Sequence, residues 1–379
     1  MRVNKIMLSV ILMTLLLKGC IEPYYPDVGN TQHSIVIYGT LTDKEGYHYI
    51  HVSRSVPFNS SENIPVQNCI VEIFDNFRNT IQFYESEPGL YEQWIDQEFL
   101  ETGRKYKLRV TAGDSIYESR YETMLACPPV DNVYFEIEKK ETADPENPLY
   151  GIQFYTDLNT QTGDAKNYRW ELEETWEYHS EYLIKIYWNG REMIYLPVGS
   201  DSLFFCWDSG SIYEIYTGSI KNITTNILSR IPLNYVSNET SRLKVKYSLL
   251  VKQYSLSDTA YDYWSQLQKF SQETGGLYET QPPQIRGNIF NINNNNEIVL
   301  GNFNVSGFSE KRIFVSEKFN FFPISYYCEP YYPEMGVILG KQPVYFLRMA
   351  QDIRLWLANR ECFDCTLLGG TTQKPDFWE

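Results

Sequence analysis

The chain predicts a mainly β fold: an N-terminal β-sandwich, then a larger antiparallel β-rich domain with one amphipathic helix. Three observations carry this. Aromatic residues make up 16% of the 379 residues, with 31 tyrosines, and aromatic and β-branched side chains suit half-buried pleated surfaces. Apolar and polar residues alternate at the period of a strand over several long stretches. Turn signals recur about every ten residues through the first part of the chain, the spacing of a sandwich.

The first element is a leader. Met1-Arg-Val-Asn-Lys5 is basic, Ile6 to Leu17 is apolar, and Leu17-Lys-Gly-Cys20 closes it. The apolar run fits a secretory core of ~7–15 residues and falls short of the ~20 that span a bilayer. A small residue before a cysteine is what a lipoprotein signal peptidase accepts. Residues 1–19 are therefore read as a lipoprotein signal peptide and Cys20 as the lipidated first residue of the mature chain, although Lys18 stands where a small or apolar residue is usual. Palmitate-class acyl chains on one cysteine supply the two or more anchors that stable attachment needs. Residues 20–34, with Pro23, Pro26 and Gly29 and no periodicity, read as the lipidated tether.

Residues 35–126 read as the sandwich. Strands are expected at Ile35-Val-Ile-Tyr-Gly39, Tyr47 to Val52, Cys69 to Phe74, Ile81 to Tyr84 and Tyr106 to Val110, with turns at Asp43-Lys-Glu-Gly46 and Glu87-Pro-Gly89. The succession Ile37-x-Gly39-x-Leu41-x-Asp43-x-x-Gly46, Val71-x-Ile73-x-Asp75, Pro88-Gly89-x-Tyr91 and Gly103-x-x-Tyr106-x-Leu108-x-Val110 resembles an immunoglobulin- or transthyretin-like domain of the carboxypeptidase-regulatory type.

Cys127-Pro-Pro-Val-Asp131 stiffens a boundary. The second domain is expected over 130–379. Tyr168, Trp170, Leu172, Trp176 and Tyr178 share one face, broken by Glu174. Leu243, Val245, Tyr247, Leu249 and Val251 alternate with Lys244, Lys246 and Ser248, the pattern of a sheet with one wet face. A helix is expected over 258–274: Ser257 is an N-cap, Asp258 suits the positive end, and Gly275-Gly276 terminates it. Its stripe of Ala260, Tyr263, Trp264, Leu267 and Phe270 reads as core packing rather than a binding groove. Asn288 to Ile292 and Ile298 to Leu300 flank a polar tip and read as a hairpin; Gly301 to Val305 and Arg312 to Val315 read as strands; Tyr345 to Ala358 has room for a short helix.

Composition excludes several functions. The formal charge is −15, and removal of the leader's three basic residues takes it to −18. Such a surface repels phosphate backbones, so nucleic acid is no partner and membrane attachment rests on the lipid. Beyond Cys20 six cysteines remain, Cys69, Cys127, Cys206, Cys328, Cys362 and Cys365, an even number suited to disulfides in an exported chain. Cys362-x-x-Cys365 has four readings: a staple with Cys206 and Cys328 tying down the tail, a redox pair, half of a zinc site, or free thiols. Cys69 and Cys127 form a second candidate pair. His48-x-x-His51 falls on a strand, where i and i+3 point to opposite faces, so no metal is assigned there. Carboxylate pairs such as Glu173-Glu174 and Asp96 with Glu98 are expected on solvated faces, and no nucleophile elbow, phosphate loop or zinc-protease motif is present. No catalytic residue, metal or cofactor is assigned, and the ligand-binding residues stay open. The tyrosine enrichment reads first as β core, second as a stacking platform for sugars.

Taken together, Cys20-Ile-Glu-Pro-Tyr, Ile37 to Asp43, Glu87 to Tyr91, Tyr168 to Tyr178, Val251 to Ser257, Gly287-Asn-Ile289, Ser309 to Ile313 and the tail Asp364 to Trp378 resemble the Bacteroidota lipoproteins catalogued as domain of unknown function 4249. The resemblance covers nearly the whole mature chain; Lys18, Cys69 and Cys127 depart from it. It implies an outer-membrane lipoprotein, on either side of that membrane, working with a TonB-dependent transporter, and no known reaction. The expected function is a non-catalytic accessory to that transporter in nutrient capture. The alternatives are a stand-alone surface binder of glycan or another ligand, and an envelope hydrolase.

Overall fold

Strand alternation builds the first unit. The computed structural model describes residues 33–56, 64–161, 164–273, 285–321, 328–332, 342–349 and 352–379, so the signal peptide, Cys20 and nearly all of the expected tether lie outside the described residues. Ile35–Thr42 (β1), Gly46–Arg54 (β2), Ile64–Pro65 (β3), Ile70–Asp75 (β4), Thr80–Glu87 (β5), Leu90–Ile95 (β6), Lys105–Ala112 (β7), Ser115–Ser119 (β8) and Glu122–Thr123 (β9) follow in order. β1 buries Ile35, Ile37 and Leu41, and β2 buries His48, Ile50 and Val52, every second residue as the pleat demands. Val71 and Ile73 with Tyr106, Leu108 and Val110 close the same core from the other half. β5 passes between the halves: Ile81 to Phe83 pair with β4, while Tyr84 and Glu85 pair with β6.

The second unit faces a three-stranded sheet against a four-stranded one. Val133–Lys140 (β10), Leu149–Asn159 (β11), Asn167–His179 (β12), Ile186–Trp188 (β13), Met193–Tyr195 (β14), Phe205–Ser219 (β15), Ile227–Ser237 (β16) and Lys246–Leu256 (β17) precede the helix Asp258–Glu273 (α1). β10, β11 and β16 form one sheet; β15, β12 and β17 form most of the other. Tyr168, Trp170 and Leu172 of β12 and Tyr247, Leu249 and Val251 of β17 fill the space between, each burial worth about 1.5–3 kcal/mol. The strand around Tyr247 starts at Lys246 rather than Leu243, because Ser241–Leu243 winds one 3-10 turn. α1 starts where expected: Ser257 Oγ accepts from the Ala260 N–H at 3.2 Å, and Asp258 holds Lys221 at 2.7 Å.

The late strands depart from the sequence reading. Ile289–Asn291 (β18), Val299–Leu300 (β19), Phe303–Ser306 (β20), Phe308–Val315 (β21), Val344–Arg348 (β22) and Leu355–Trp356 (β23) complete the order. β18 pairs with β8, whereas β19 and β20 run parallel to β1. The expected hairpin between residues 288 and 300 is therefore absent: each strand completes an edge of the first unit, and Asn291 Oδ1 turns the chain by accepting from the Asn293 and Asn294 N–H groups. The expected boundary at 126 does not close the first unit, since residues 289–306 hydrogen-bond back into it. Gly301 sits at the crossing with φ +91, where a Cβ would lie 2.0 Å from the Ile37 carbonyl oxygen. The helix expected within 345–358 is also corrected: Val344 to Phe346 pair with Ile186 to Trp188 in a small sheet, an apolar run too short to tell strand from helix by period.

Candidate functional site

The two units are locked together by a buried polar joint. Ser255 Oγ donates to the Leu125 carbonyl at 2.7 Å, and Gln253 Nε2 and Ser309 Oγ each donate to the Pro128 carbonyl at 2.8 Å. Trp170 Nε1 donates to Gln253 Oε1 at 3.0 Å, tying the joint into the core of the second unit. Gly307 lets the backbones touch; a Cβ there would lie 2.4 Å from the Leu125 carbonyl oxygen. A linker so held fixes the orientation of the units, and the groove they leave is part of the fold rather than of a hinge.

One wall of the groove is the outer face of β12, β17 and β21. Register sets Arg169 opposite Tyr254 and Tyr254 opposite Phe308; one step along, Glu171 lies opposite Lys252 and Lys252 opposite Glu310. The other wall is β1 and β2, with Tyr38 opposite His51 and their rings stacked at 6.5 Å. The opening encloses about 460 Å³ along Tyr38, Thr40, Thr42, Tyr49, Tyr254 and Phe308. A neighbouring cavity of about 390 Å³ shares Tyr38 and Glu171 and runs under Trp264 of α1. Both volumes fall within the roughly 300–1,000 Å³ of small-molecule sites.

The charges here are paired. Glu171 takes Arg169 Nη2 at 2.8 Å and the Tyr254 hydroxyl at 2.7 Å. Lys44 reaches Glu310 at 2.7 Å, and Lys252 is bound to Glu173. The Arg169 guanidinium is sandwiched 4.0 Å from the Trp264 ring centre and 5.0 Å from that of Tyr254, an arrangement that favours a planar cation. Its Nε is buried with no hydrogen-bond partner among the described residues, so part of its donor capacity is unused there. Burial, with Glu171 beside it, raises the Tyr254 phenol far above its ordinary range.

A strip of exposed rings continues from this wall across the first unit. Tyr47 lies opposite Trp94, Tyr49 opposite Glu92, and Glu92 opposite Tyr84, all on the outer face. They are 57%, 46%, 44% and 63% exposed for Tyr47, Trp94, Tyr49 and Tyr84 respectively. Tyr47 meets Trp94 edge-on at 5.3 Å, and Asp96 accepts the indole N–H at 3.1 Å, fixing the ring.

The candidates read from the sequence fall elsewhere. Cys20 lies outside the described residues. Cys206 bonds Cys365 and Cys328 bonds Cys362, so the tail cysteines form two staples. Cys69 and Cys127 are free thiols, and the pairing considered for them is corrected. Cys69 precedes β4 with its sulfur against the Val66 carbonyl, whereas Cys127 lies in the joint beside Gln253 and Ser309. Burial raises both thiols above the usual range. His48 points inward and His51 outward, on opposite faces of β2. Asp96 serves Trp94, and Glu98 is exposed. Glu173 lines the smaller cavity, but Glu174 is not solvated: it is 8% exposed and bound to Arg242 and Tyr247. That break in the β12 pattern was the readable sign of a buried charge. Arg169, Glu171, Lys252 and Glu310 were missed, because only strand register brings them together.

A family model described as domain of unknown function (DUF4249) matches residues 21–312. No curated protein matches. Among solved structures, the crystal structure of trypsin-activated alpha-2-macroglobulin from Escherichia coli is similar at 9% identity and a TM-score of 0.19, over 62% of this chain and 15% of that one. Agreement of that grade carries no argument about fold or function.

Proposed function

From the premise that the chain belongs to the family described as domain of unknown function (DUF4249), we propose a lipid-anchored outer-membrane protein, a non-catalytic accessory that captures a nutrient for a TonB-dependent transporter. The leader ending at Cys20 supports the anchor. The observation that carries capture is the pre-formed groove between two units locked by a buried polar joint. A site formed before its ligand arrives loses little ordering entropy on binding.

Binding is favoured over hydrolysis by the arrangement of the carboxylates. A glycosidase needs two carboxyls facing each other across the ligand, one free to carry a proton. Glu171, Glu173 and Glu310 instead belong to one sheet and are each occupied by a cation, while Glu45, at the β1–β2 side of the groove, accepts from the Gln97 N–H at 3.2 Å. A second reading, a stand-alone surface binder, draws support from the exposed strip of Tyr47, Tyr49, Tyr84 and Trp94.

Affinity purification from mild-detergent membranes, with the tag on a flexible linker after Glu379, separates the two. A near-stoichiometric barrel is expected. A solitary lipoprotein, with every uptake phenotype unchanged on deletion, would leave the stand-alone binder.

A further inference from the structure

We infer that the groove and the aromatic strip form one continuous site for an uncharged saccharide chain. This rests on the reading above that the protein captures a ligand, and adds the ligand's chemistry.

Charge and polarity eliminate the other ligand classes in turn. Three cations along the groove, Lys44, Arg169 and Lys252, are each matched to a carboxylate, and Glu45 adds a further negative charge. With the whole chain at −15, no field draws in a phosphate, sulfate or uronate. An apolar ligand would strip water from these ion pairs and return nothing to them. A cationic ligand would find, among the described residues of the groove, Glu45 alone without a cation, and would otherwise compete with cations that already hold the carboxylates at 2.7–2.8 Å in the Lys44–Glu310 and Arg169–Glu171 pairs. An uncharged, hydroxyl-dense molecule meets none of these penalties. Its hydroxyls donate to the free lone pairs of Glu171, Glu310 and the Thr42 hydroxyl oxygen and accept from Lys44, Lys252 and Thr40, leaving each ion pair intact.

The strip supplies what polar groups cannot. A pyranose ring has one face of C–H groups, which packs on an aromatic face with little polar penalty. Outward residues two apart on one strand stand about 7 Å apart, and neighbouring strands about 4.8 Å, so Tyr49, Tyr47, Trp94 and Tyr84 offer rings at the spacing of successive units of an extended chain. The strip leads from Tyr49 directly into the groove, which that residue also lines. A single sugar would use only one end of this surface; an oligomer uses both.

The test uses the full chain in mild detergent on an array of neutral gluco-, manno-, xylo- and galacto-oligosaccharides, with oligogalacturonates, sulfated glycans, oligopeptides and polyamines on the same slide. Retention of at least one neutral oligomer is expected, with quenching of tryptophan fluorescence. Trp94→Ala with Tyr49→Ala should weaken it by about tenfold or more, and the far-UV spectrum should stay unchanged because both side chains are exposed. Binding confined to charged glycans, peptides or polyamines overturns the inference, as does an array without any neutral ligand, or neutral binding indifferent to both substitutions. A barrel that co-purifies while no neutral oligomer binds removes the saccharide and keeps the accessory role. Neutral binding without a barrel does the reverse.

Discussion

Glu174→Ala should be among the most damaging single substitutions in the second unit. The carboxylate is 8% exposed; it takes Arg242 Nη1 at 2.7 and 2.9 Å and the Tyr247 hydroxyl at 2.7 Å. Truncation leaves a guanidinium and a phenol without their acceptor. Breaking a buried pair from one side costs about 3–5 kcal/mol, largely through the group left behind. The Arg242 side chain keeps 24% exposure, so water restores part of its solvation; Tyr247 has none. The expected loss is therefore about 2–4 kcal/mol, a fall of roughly 5–15 °C in Tm for a unit of this size. Glu174→Gln keeps an acceptor for Tyr247 and should lose about half as much. The comparison is Glu310→Ala, whose pair with Lys44 is 37% and 57% exposed and should matter by no more than about 1 kcal/mol. Scanning calorimetry at pH 7 on the full chain reads all three. If Glu174→Ala melts no lower than Glu310→Ala, burial does not set the cost of losing these carboxylates.

Three other perturbations probe the joint, the cysteines and a buried histidine. Gly307→Ala forces a Cβ to 2.4 Å from the Leu125 carbonyl oxygen and should cost about 1–3 kcal/mol while speeding proteolysis near Pro128; unchanged cleavage kinetics would argue against a locked joint. Alkylation without reductant should label Cys69 quickly, Cys127 slowly, and spare Cys206, Cys328, Cys362 and Cys365; reduction, which frees a loop spanning 159 residues, should then cost about 3–5 kcal/mol on urea titration. His48 gives a pH signature. The Gly46 carbonyl can only accept, so Nδ1 carries the proton and Nε2 accepts from Thr42 in a neutral ring. Burial lowers the His48 pKa, so the unfolded chain binds its proton first, and stability falls as pH drops below about 6.5 toward the folded value. His48→Gln should flatten that slope in Tm measured from pH 7.5 to 5, and an unaltered slope would exclude His48 as its source.

How much of this was legible in the sequence depended on whether the determinant was local. The pleat of β12 and β17 and the Ser257 cap were readable, because alternation and one hydroxyl act within a few residues of themselves, whereas the even cysteine count offered staples as one of four readings without their pairing, Cys206 with Cys365 and Cys328 with Cys362. The groove was not. Tyr38, Glu171, Lys252 and Glu310 belong to four strands scattered along the chain, and each alone looks like an ordinary surface residue. The late strands were misjudged for the same reason: Ile289–Asn291 and Val299–Leu300 have the right local pattern, but sequence spacing favoured each other as partners over β8 and β1. The even-numbered face of β17 was expected to be wet, yet Ser248 is fully buried beneath Arg312 and Tyr254 is covered at the groove. Pairing between distant segments, not propensity, decided these cases.

The strands that return at residues 289–306 also set a timetable for the molecule. While the chain is being made, its leading half has outer edges at β1 and β8 with nothing to pair them until up to about 250 further residues have followed. An unpaired edge is a template for another chain, so the incomplete chain needs a chaperone or fast completion to stay single. The same threading means that no cut in the linker yields two viable halves. A fragment ending at Pro128 would lack all three of its closing strands, and a fragment starting there would carry them with nowhere to dock.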